Sequence, residues 1–201
     1  MISKRTKPTS LRVDMKEYVM ETMFCAPKGT LGRLGGRLMS QDRWLPAWVL
    51  DLLEINPSDS VLEVGPGPGL GLQLTTARAY QGRVVGVDRS ETMLEMARRR
   101  NRSLIEAGRV ELHLGSADKL PFNDATFDKA MAINTHHIWS DPVAGLKEIR
   151  RTLRSGGRIA VAITRFSYAS PAKFESHLLS AGFTDVGMHT GEAGVCALGR
   201  A

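Results

Sequence analysis

Six apolar side chains in residues 39–55, Trp44, Leu45, Trp48, Val49, Leu52 and Leu53, recur at intervals that put them on one face of a helix. The Asn-Pro-Ser-Asp turn at 56–59 ends that helix. From there the pattern changes. Short apolar runs at residues 60–64, 83–87, 109–114, 127–133 and 158–164 predict five strands, because they are brief and bounded by turn residues. Between them, residues 70–80 and 91–107 and a segment opening at Asp141 and Pro142 carry helical spacing. Ser90 and Asp141 are the expected N-caps, and Pro142 sits in the first turn, where its missing N–H costs nothing. That last helix stops before the Ser-Gly-Gly at 155–157. A short helix over "SPAKFESHLLSAG" and two β runs, "FTDVGMH" and "GVCALGR", close the chain.

Strand and helix alternating in this way predict an α/β fold. The expected form is a Rossmann-like, doubly wound, mainly parallel sheet in three α/β/α layers, with a C-terminal antiparallel hairpin from the two closing β runs. Residues 39–201 read as one domain, and residues 1–38 as an N-terminal extension. Such sheets bind ligands beyond the carboxyl ends of their strands. The loops after Val64, Val87, Leu114 and Ile133 are therefore where chemistry is expected.

Composition narrows the class of protein. Two cysteines, Cys25 and Cys196, are too few for a disulfide framework and lack metal-ligand spacing, which fits free thiols in a reducing cytoplasm and no metal site. The basic start, "MISKRTKPTS", is not followed by the apolar run of a signal peptide, and no stretch is long enough to span a bilayer. A net charge of +6 allows peripheral contact with acidic lipid, but the cations are dispersed, so no specific nucleic-acid partner is expected. Their one dense cluster, "RRRNR" at 98–102, reads as a solvated helix face.

The stretch "VLEVGPGPGLGL" carries the first chemistry. Gly65, Gly67 and Gly69 fall where the first strand turns into a helix, and glycine there permits positive φ and the approach of a ligand with no Cβ in its way. No glycine in the run starts a Gly-x-Gly-x-x-Gly dinucleotide fingerprint, and no Gly-Lys-Ser/Thr follows for a P-loop. Glu63, two residues before the loop, would repel a pyrophosphate and suit a cation. An adenosine ligand bearing a sulfonium and no phosphate meets both conditions. Taken singly, Glu63 or Asp88 also fits a capping or ion-paired acid; the conjunction with the glycine loop favours a binding site.

"LEVGPGPG", "VVGVDRS", "GSADKLPF" and "RSGGRIAVAI", in this order, resemble the class I S-adenosylmethionine-dependent methyltransferases from about residue 57 onward. The resemblance implies S-adenosyl-L-methionine as cofactor and a role for each matching residue. Glu63, Gly65, Gly67 and Gly69, with Pro66 between them, match the loop that packs on the methionine part and adenosine. Asp88 matches the acid that accepts from both ribose hydroxyls, and Asp118 the acceptor of the adenine amino group, with Ala117 and Leu120 beside the ring. Asn134 matches the residue between the methyl group and the substrate. Arg89 stands where an apolar residue often covers adenine, so either its guanidinium stacks there or Met93 covers the ring.

Methyl transfer from a sulfonium needs alignment and exclusion of water more than acid–base help. A hydroxyl or carbon acid would gain from a base, and "NTHHIW" at 134–139 offers His136 and His137 as candidates. His137 and Trp139 are also candidate substrate contacts; local packing of a histidine, with Trp139 covering the cofactor, is the competing reading. The expected activity is methyl transfer to a small-molecule acceptor. The alternatives are the same chemistry on a lipid headgroup or macromolecule, and a non-catalytic cofactor-binding module. An Asn-Pro-Pro-Tyr signature, expected for many enzymes that methylate nucleobase or amide nitrogens, is replaced here by Asn-Thr-His-His. The segment "KGTLGRLGGRLM" reads as a cover over the active site or as a basic amphipathic segment on a membrane surface. Its glycines weaken a stable helix, which favours the cover.

Overall fold

The computed structural model describes residues 28–39, 43–165, 167 and 170–201. Helices α1 (Gly29–Met39) and α2 (Trp44–Leu53) precede β1 (Ser60–Val64). Then follow α3 (Leu70–Arg78), β2 (Arg83–Asp88), α4 (Glu91–Arg100), α5 (Arg102–Glu106), β3 (Val110–Leu114) and β4 (Phe127–Ile133). A 3-10 turn (His136–Ile138), α6 (Pro142–Thr152), β5 (Leu153–Thr164), a second 3-10 turn (Pro171–Lys173), α7 (Phe174–Ser180), β6 (Thr184–Gly191) and β7 (Gly194–Arg200) complete the order.

All seven strands form one sheet in the order β3-β2-β1-β4-β5-β7-β6. β1 to β5 run parallel, whereas β7 pairs antiparallel with both β5 and β6. The order reverses at β1, whose neighbours are β2 on one side and β4 on the other. Loops leaving the carboxyl ends of these strands diverge there and leave a cleft.

Both faces of the sheet are dry. On one, Leu62, Val85, Phe127, Val161 and Ala197 meet Leu146 and Ile149 of α6 and Phe174 and Leu178 of α7. On the other, Met131, Ala160, Ala162 and Cys196 meet Leu45, Val49, Leu50 and Leu53 of α2. Each such aliphatic side chain contributes about 1.5–3 kcal/mol by leaving water. Burial also pushes the Cys196 thiol up to about 12, so it is a packing residue and a free thiol. Cys25 lies outside the described residues.

Three expectations need correction. Residues 29–39 are helical despite their glycines. Helix propensity is overridden by packing: Gly36 lies against Met96 and Met93, where a Cβ would come within 2.7 Å of the Met96 Sδ. The helix expected over 91–107 is broken at Asn101 into α4 and α5. Finally, β5 begins at Leu153 and takes in the Ser-Gly-Gly read as a turn, because Gly156 N donates to Ala201 O (3.0 Å) and Ala201 N to Gly157 O (2.8 Å). No described helix is long and apolar enough to cross a membrane.

Candidate active site

The cleft opens at the carboxyl ends of β1, β2 and β4. Val64, Gly65 and Gly67 line it from the first loop, Asp88, Arg89 and Met93 from the second, and Gly115, Ser116, Ala117 and Asp118 from the third. Ile133, Asn134, Thr135, Ile138, Trp139, Ser140 and Asp141 close the fourth side. Of the residues singled out in the sequence, Gly65, Gly67, Asp88, Arg89, Met93, Ala117, Asp118, Asn134 and Trp139 therefore meet at one surface. Glu63, Pro66, Gly69, Leu120, His136 and His137 do not line it.

Gly65, Gly67 and Gly69 all have positive φ (76°, 53° and 80°), a conformation glycine takes without steric cost. The expectation that their missing Cβ atoms make way for a ligand is corrected at Gly65 and Gly69, where protein takes that space, as it also does at Gly71. A Cβ on Gly65 would meet Thr135, one on Gly69 would meet Asn101 and Ala97, and one on Gly71 would meet the Glu63 carboxylate. The run is glycine-rich because protein packs against it closely on several sides. Pro66 is buried too, with its Cγ 3.0 Å from the place a Cβ on Gly86 would take.

Asp88 ties the first two loops together. Its Oδ2 accepts from Gly67 N (3.1 Å) and its Oδ1 from Ser90 N (2.9 Å). Ser90 in turn caps α4 by accepting from Met93 N (3.3 Å). Burial raises the Asp88 pKa, and these hydrogen bonds, with the charge of Arg89, pull it back. The backbone N–H of Arg89 bonds to the carboxylate as well, so three backbone donors hold it and acceptor capacity remains for a ligand. Asp118 is exposed, and the Ser116 hydroxyl donates to its Oδ1 and lowers its pKa. Arg151 steadies the segment beyond it by donating to Leu120 O (3.3 Å), Phe122 O (2.8 Å) and Asp124 Oδ1 (2.6 Å).

Glu63 is buried with Oε2 lacking a hydrogen-bond partner among the described residues. Its pKa is raised to about 8, first by burial and then by Asp88. The carboxylate faces the first turn of α3 at Gly71.

On the fourth side, Asn134 leaves β4 with φ 55°, a left-handed conformation that asparagine tolerates. Its N–H donates to Ala162 O and its Oδ1 accepts from Thr164 N, both at 2.8 Å, so the end of β4 is fastened to β5. Trp139 Nε1 donates to Thr135 Oγ1 (3.2 Å), setting the indole as a wall. His136 is buried behind that wall. Its ring packs edge-on against Trp139 and Phe174, and its Nε2 lies 3.4 Å from His177 Nδ1. Its pKa is lowered to about 4, chiefly by burial and then by His177 and His137. His137 is exposed and outside the cleft lining.

Sequence reasoning missed Thr135, Ser116, Asp141, Ile138, Arg100 and Asn101. The last two are part of the cluster read as a solvated face, which is corrected at these positions. Arg100 Nε donates to Pro68 O (3.1 Å) and Asn101 Nδ2 to Gly69 O (2.9 Å). Arg98 and Arg102 do pair at the surface, with Glu91 and Glu106.

The fit of this cleft to a cofactor follows from its charges. Asp88, Asp118 and Asp141 stand against one guanidinium, Arg89, around a loop with no lysine. Such a wall disfavours a pyrophosphate and suits a positively charged nucleoside. Fold and cleft together define a nucleoside-binding α/β enzyme without a phosphate cradle.

Comparison with known proteins fixes the family. A model of the methyltransferase domain matches residues 62–161. The chain is 33% identical over 180 residues to the uncharacterized methyltransferase YdaC of Bacillus subtilis (strain 168), covering 83% of this chain and 97% of YdaC. It is 38% identical over 127 residues to demethylmenaquinone methyltransferase of Symbiobacterium thermophilum, covering 61% of this chain and 50% of that protein. A SAM-dependent methyltransferase from Aquifex aeolicus superposes with a TM-score of 0.65 at 25% identity, covering 78% of this chain and 88% of that one. The chain belongs to the class I S-adenosylmethionine-dependent methyltransferases, and its cofactor is S-adenosylmethionine. It spans nearly all of YdaC but about half or less of several other curated relatives.

Proposed function

We propose that the protein transfers a methyl group from S-adenosylmethionine to a small-molecule acceptor in this cleft. The observation that carries the reading is the meeting of Gly65, Gly67, Asp88, Asp118 and Asn134 on one wall, at the point where strand order reverses. What the bound cofactor supplies is a methyl group on a positive sulfonium, open to in-line displacement.

In this reading the chain's own residues bind and orient. Asp88, a two-oxygen acceptor on the cleft wall, takes the ribose hydroxyls. Asp118 accepts from the adenine amino group, with Ala117 and Met93 beside the ring and Arg89 at its edge. Gly65 and Gly67 offer backbone to the methionine side, and Pro66, Gly69 and Leu120 act from behind by holding loop and wall. Glu63, kept mostly protonated at neutral pH by its burial, packs beneath the loop against Gly71. Ile133, Ile138 and Trp139 keep water from the reacting end, and Asn134 fixes the floor between cofactor and acceptor. His136 has no route to the acceptor, so the reaction is assigned no histidine base; an amine or thiolate arriving in its reactive form needs none. His137, which does not line the cleft, is given no substrate role, and Trp139 keeps one.

Two features support a small acceptor over a nucleic acid. The surface arginines Arg33, Arg78, Arg98, Arg102, Arg154, Arg158 and Arg200 each face a carboxylate, which leaves them dispersed and locally compensated. The cleft is also lined by three aspartates, Asp88, Asp118 and Asp141, which disfavour phosphate. Residues 39–201 are read as the catalytic domain and α1 as part of a cover, because α1 lies on Met93, which lines the cleft; residues 1–27 of the expected extension lie outside the described residues.

A screen with S-adenosylmethionine carrying a labelled methyl group, run over a metabolite extract, tests the proposal. Label is expected in a low-mass product with the wild-type protein and not with Asp88→Ala. Label appearing only in added RNA, DNA or protein would overturn the acceptor class.

A further inference from the structure

Asn101 has no accessible surface, although it follows three arginines at the end of a helix. Its Nδ2 donates to two carbonyls, Gly69 O at 2.9 Å and Ala97 O at 3.0 Å. Turning the amide over would aim Oδ1 at both carbonyl oxygens, so the two acceptors fix its orientation. Gly69 is cut to fit this side chain: a Cβ there would lie 2.5 Å from Asn101 Nδ2 and 2.9 Å from Ala97 Cβ. One residue earlier, Arg100 Nε donates to Pro68 O at 3.1 Å. The end of α4 thus grips two consecutive carbonyls of the glycine loop. A peptide unit is planar, so fixing two carbonyls fixes the planes that contain them and the N–H groups of Gly69 and Leu70. The opposite side of the loop is held by Asp88 through Gly67 N.

We propose that Asn101 and Arg100 are positioning residues that set the affinity for S-adenosylmethionine by clamping the glycine loop in its binding shape from the side away from the cleft. The inference rests on the proposed role of Gly65 and Gly67 as the loop that meets the cofactor. The same helix brings Met93 to the cleft and is capped by Ser90, which also donates to Asp88. Loop, ribose acid and adenine wall are therefore referenced to one rigid element.

The test is the dissociation constant for S-adenosylhomocysteine, by calorimetry, in wild type, Asn101→Ala, Arg100→Ala and Ile159→Val, together with amide hydrogen exchange over residues 65–71. Asn101→Ala is expected to weaken binding about tenfold and Arg100→Ala about threefold, in line with loss of buried and half-exposed hydrogen bonds. Exchange in the loop should accelerate in both. Arg100 is half-buried and its loss spares the core, so it keeps the test open if Asn101→Ala folds poorly. Ile159→Val lowers stability from a core strand remote from the loop and is expected to leave both readouts unchanged, which separates positioning from mere stability. Wild-type affinity in both loop variants would overturn the clamp while leaving the cofactor assignment intact. No binding of S-adenosylhomocysteine to the wild type would overturn both.

Discussion

The cleft has two halves built on different principles. Around β1 and β2, polar side chains point at backbone: Asp88 holds Gly67, Asn101 holds Gly69 and Ser90 caps α4. Around β4 the polar side chains lock the scaffold to itself. Asn134 ties β4 to β5, Thr135 takes the Trp139 N–H and His136 turns away toward α7. In the proposed reading the first half receives the cofactor; the second is a wall that mixes Ile133, Ile138 and Trp139 with Asn134, Thr135, Ser140 and Asp141. A fixed cofactor needs the first.

The largest expected effect falls on the first half. Asp88→Ala removes the loop anchor and, in the proposed role, the acceptor for two hydroxyls, so affinity for S-adenosylhomocysteine should fall by two orders of magnitude or more, about 3–4 kcal/mol. A loss under tenfold by calorimetry would erase the contrast between the halves.

Next comes Glu63. Its folded pKa of about 8 lies above its unfolded value, so its contribution to stability is full below pH 4.5 and is lost as pH rises toward 8. Glu63→Gln stays neutral and should be more stable than wild type at pH 8, by about 2–3 kcal/mol after allowing for its own buried amide, and less stable at pH 4.5 by about the 1–2 kcal/mol which that amide costs. Urea denaturation at the two pH values reads this directly, and equal stabilities at pH 8 would contradict it.

His136 has the opposite sign. Its folded pKa of about 4 lies below the unfolded 6.5, so stability drops as pH falls from 6.5 toward 4, the unfolded chain taking the proton first. Replacement by phenylalanine, which suits the Trp139 and Phe174 rings, should remove on the order of 2 kcal/mol of that acid loss. A wild-type slope that persists in His136→Phe would assign it elsewhere. The smallest effect is expected from His137→Ala: turnover unchanged and stability within about 0.5 kcal/mol, as for an exposed side chain. A tenfold fall in turnover would return that histidine to the acceptor site.

The sequence was most legible where a local rule meets no competitor. The strand over 127–133, the Asp141 cap with Pro142 behind it and the closing hairpin all stand where periodicity and turn chemistry put them. The reading failed where long-range contact overrides local preference. α1 forms against methionines more than fifty residues away, and β5 extends through Gly156 and Gly157 because the chain terminus pairs with them. The helix over 91–107 breaks because the Asn101 side chain serves Gly69. In the cleft, Gly65, Gly67, Asp88, Asp118 and Asn134 come together as the order of the motifs along the strand ends led one to expect. Arg100 and Asn101 carried no such signal, since a run of arginines reads the same whether it faces water or a loop. Nor does sequence say which way a side chain turns: His136 and His137 are neighbours, yet one is buried behind Trp139 and the other lies in solvent.

The central claim is that a glycine loop fixed by Asp88 receives a phosphate-free, positively charged nucleoside. A crystal structure of the complex with S-adenosylhomocysteine measures this most directly. Both ribose hydroxyls within hydrogen-bond distance of the Asp88 carboxylate, with the amino-acid end beside Gly65 and Gly67, is the predicted result. The nucleoside bound elsewhere, or a dinucleotide competing successfully with its pyrophosphate across Gly65 and Gly67, would contradict it.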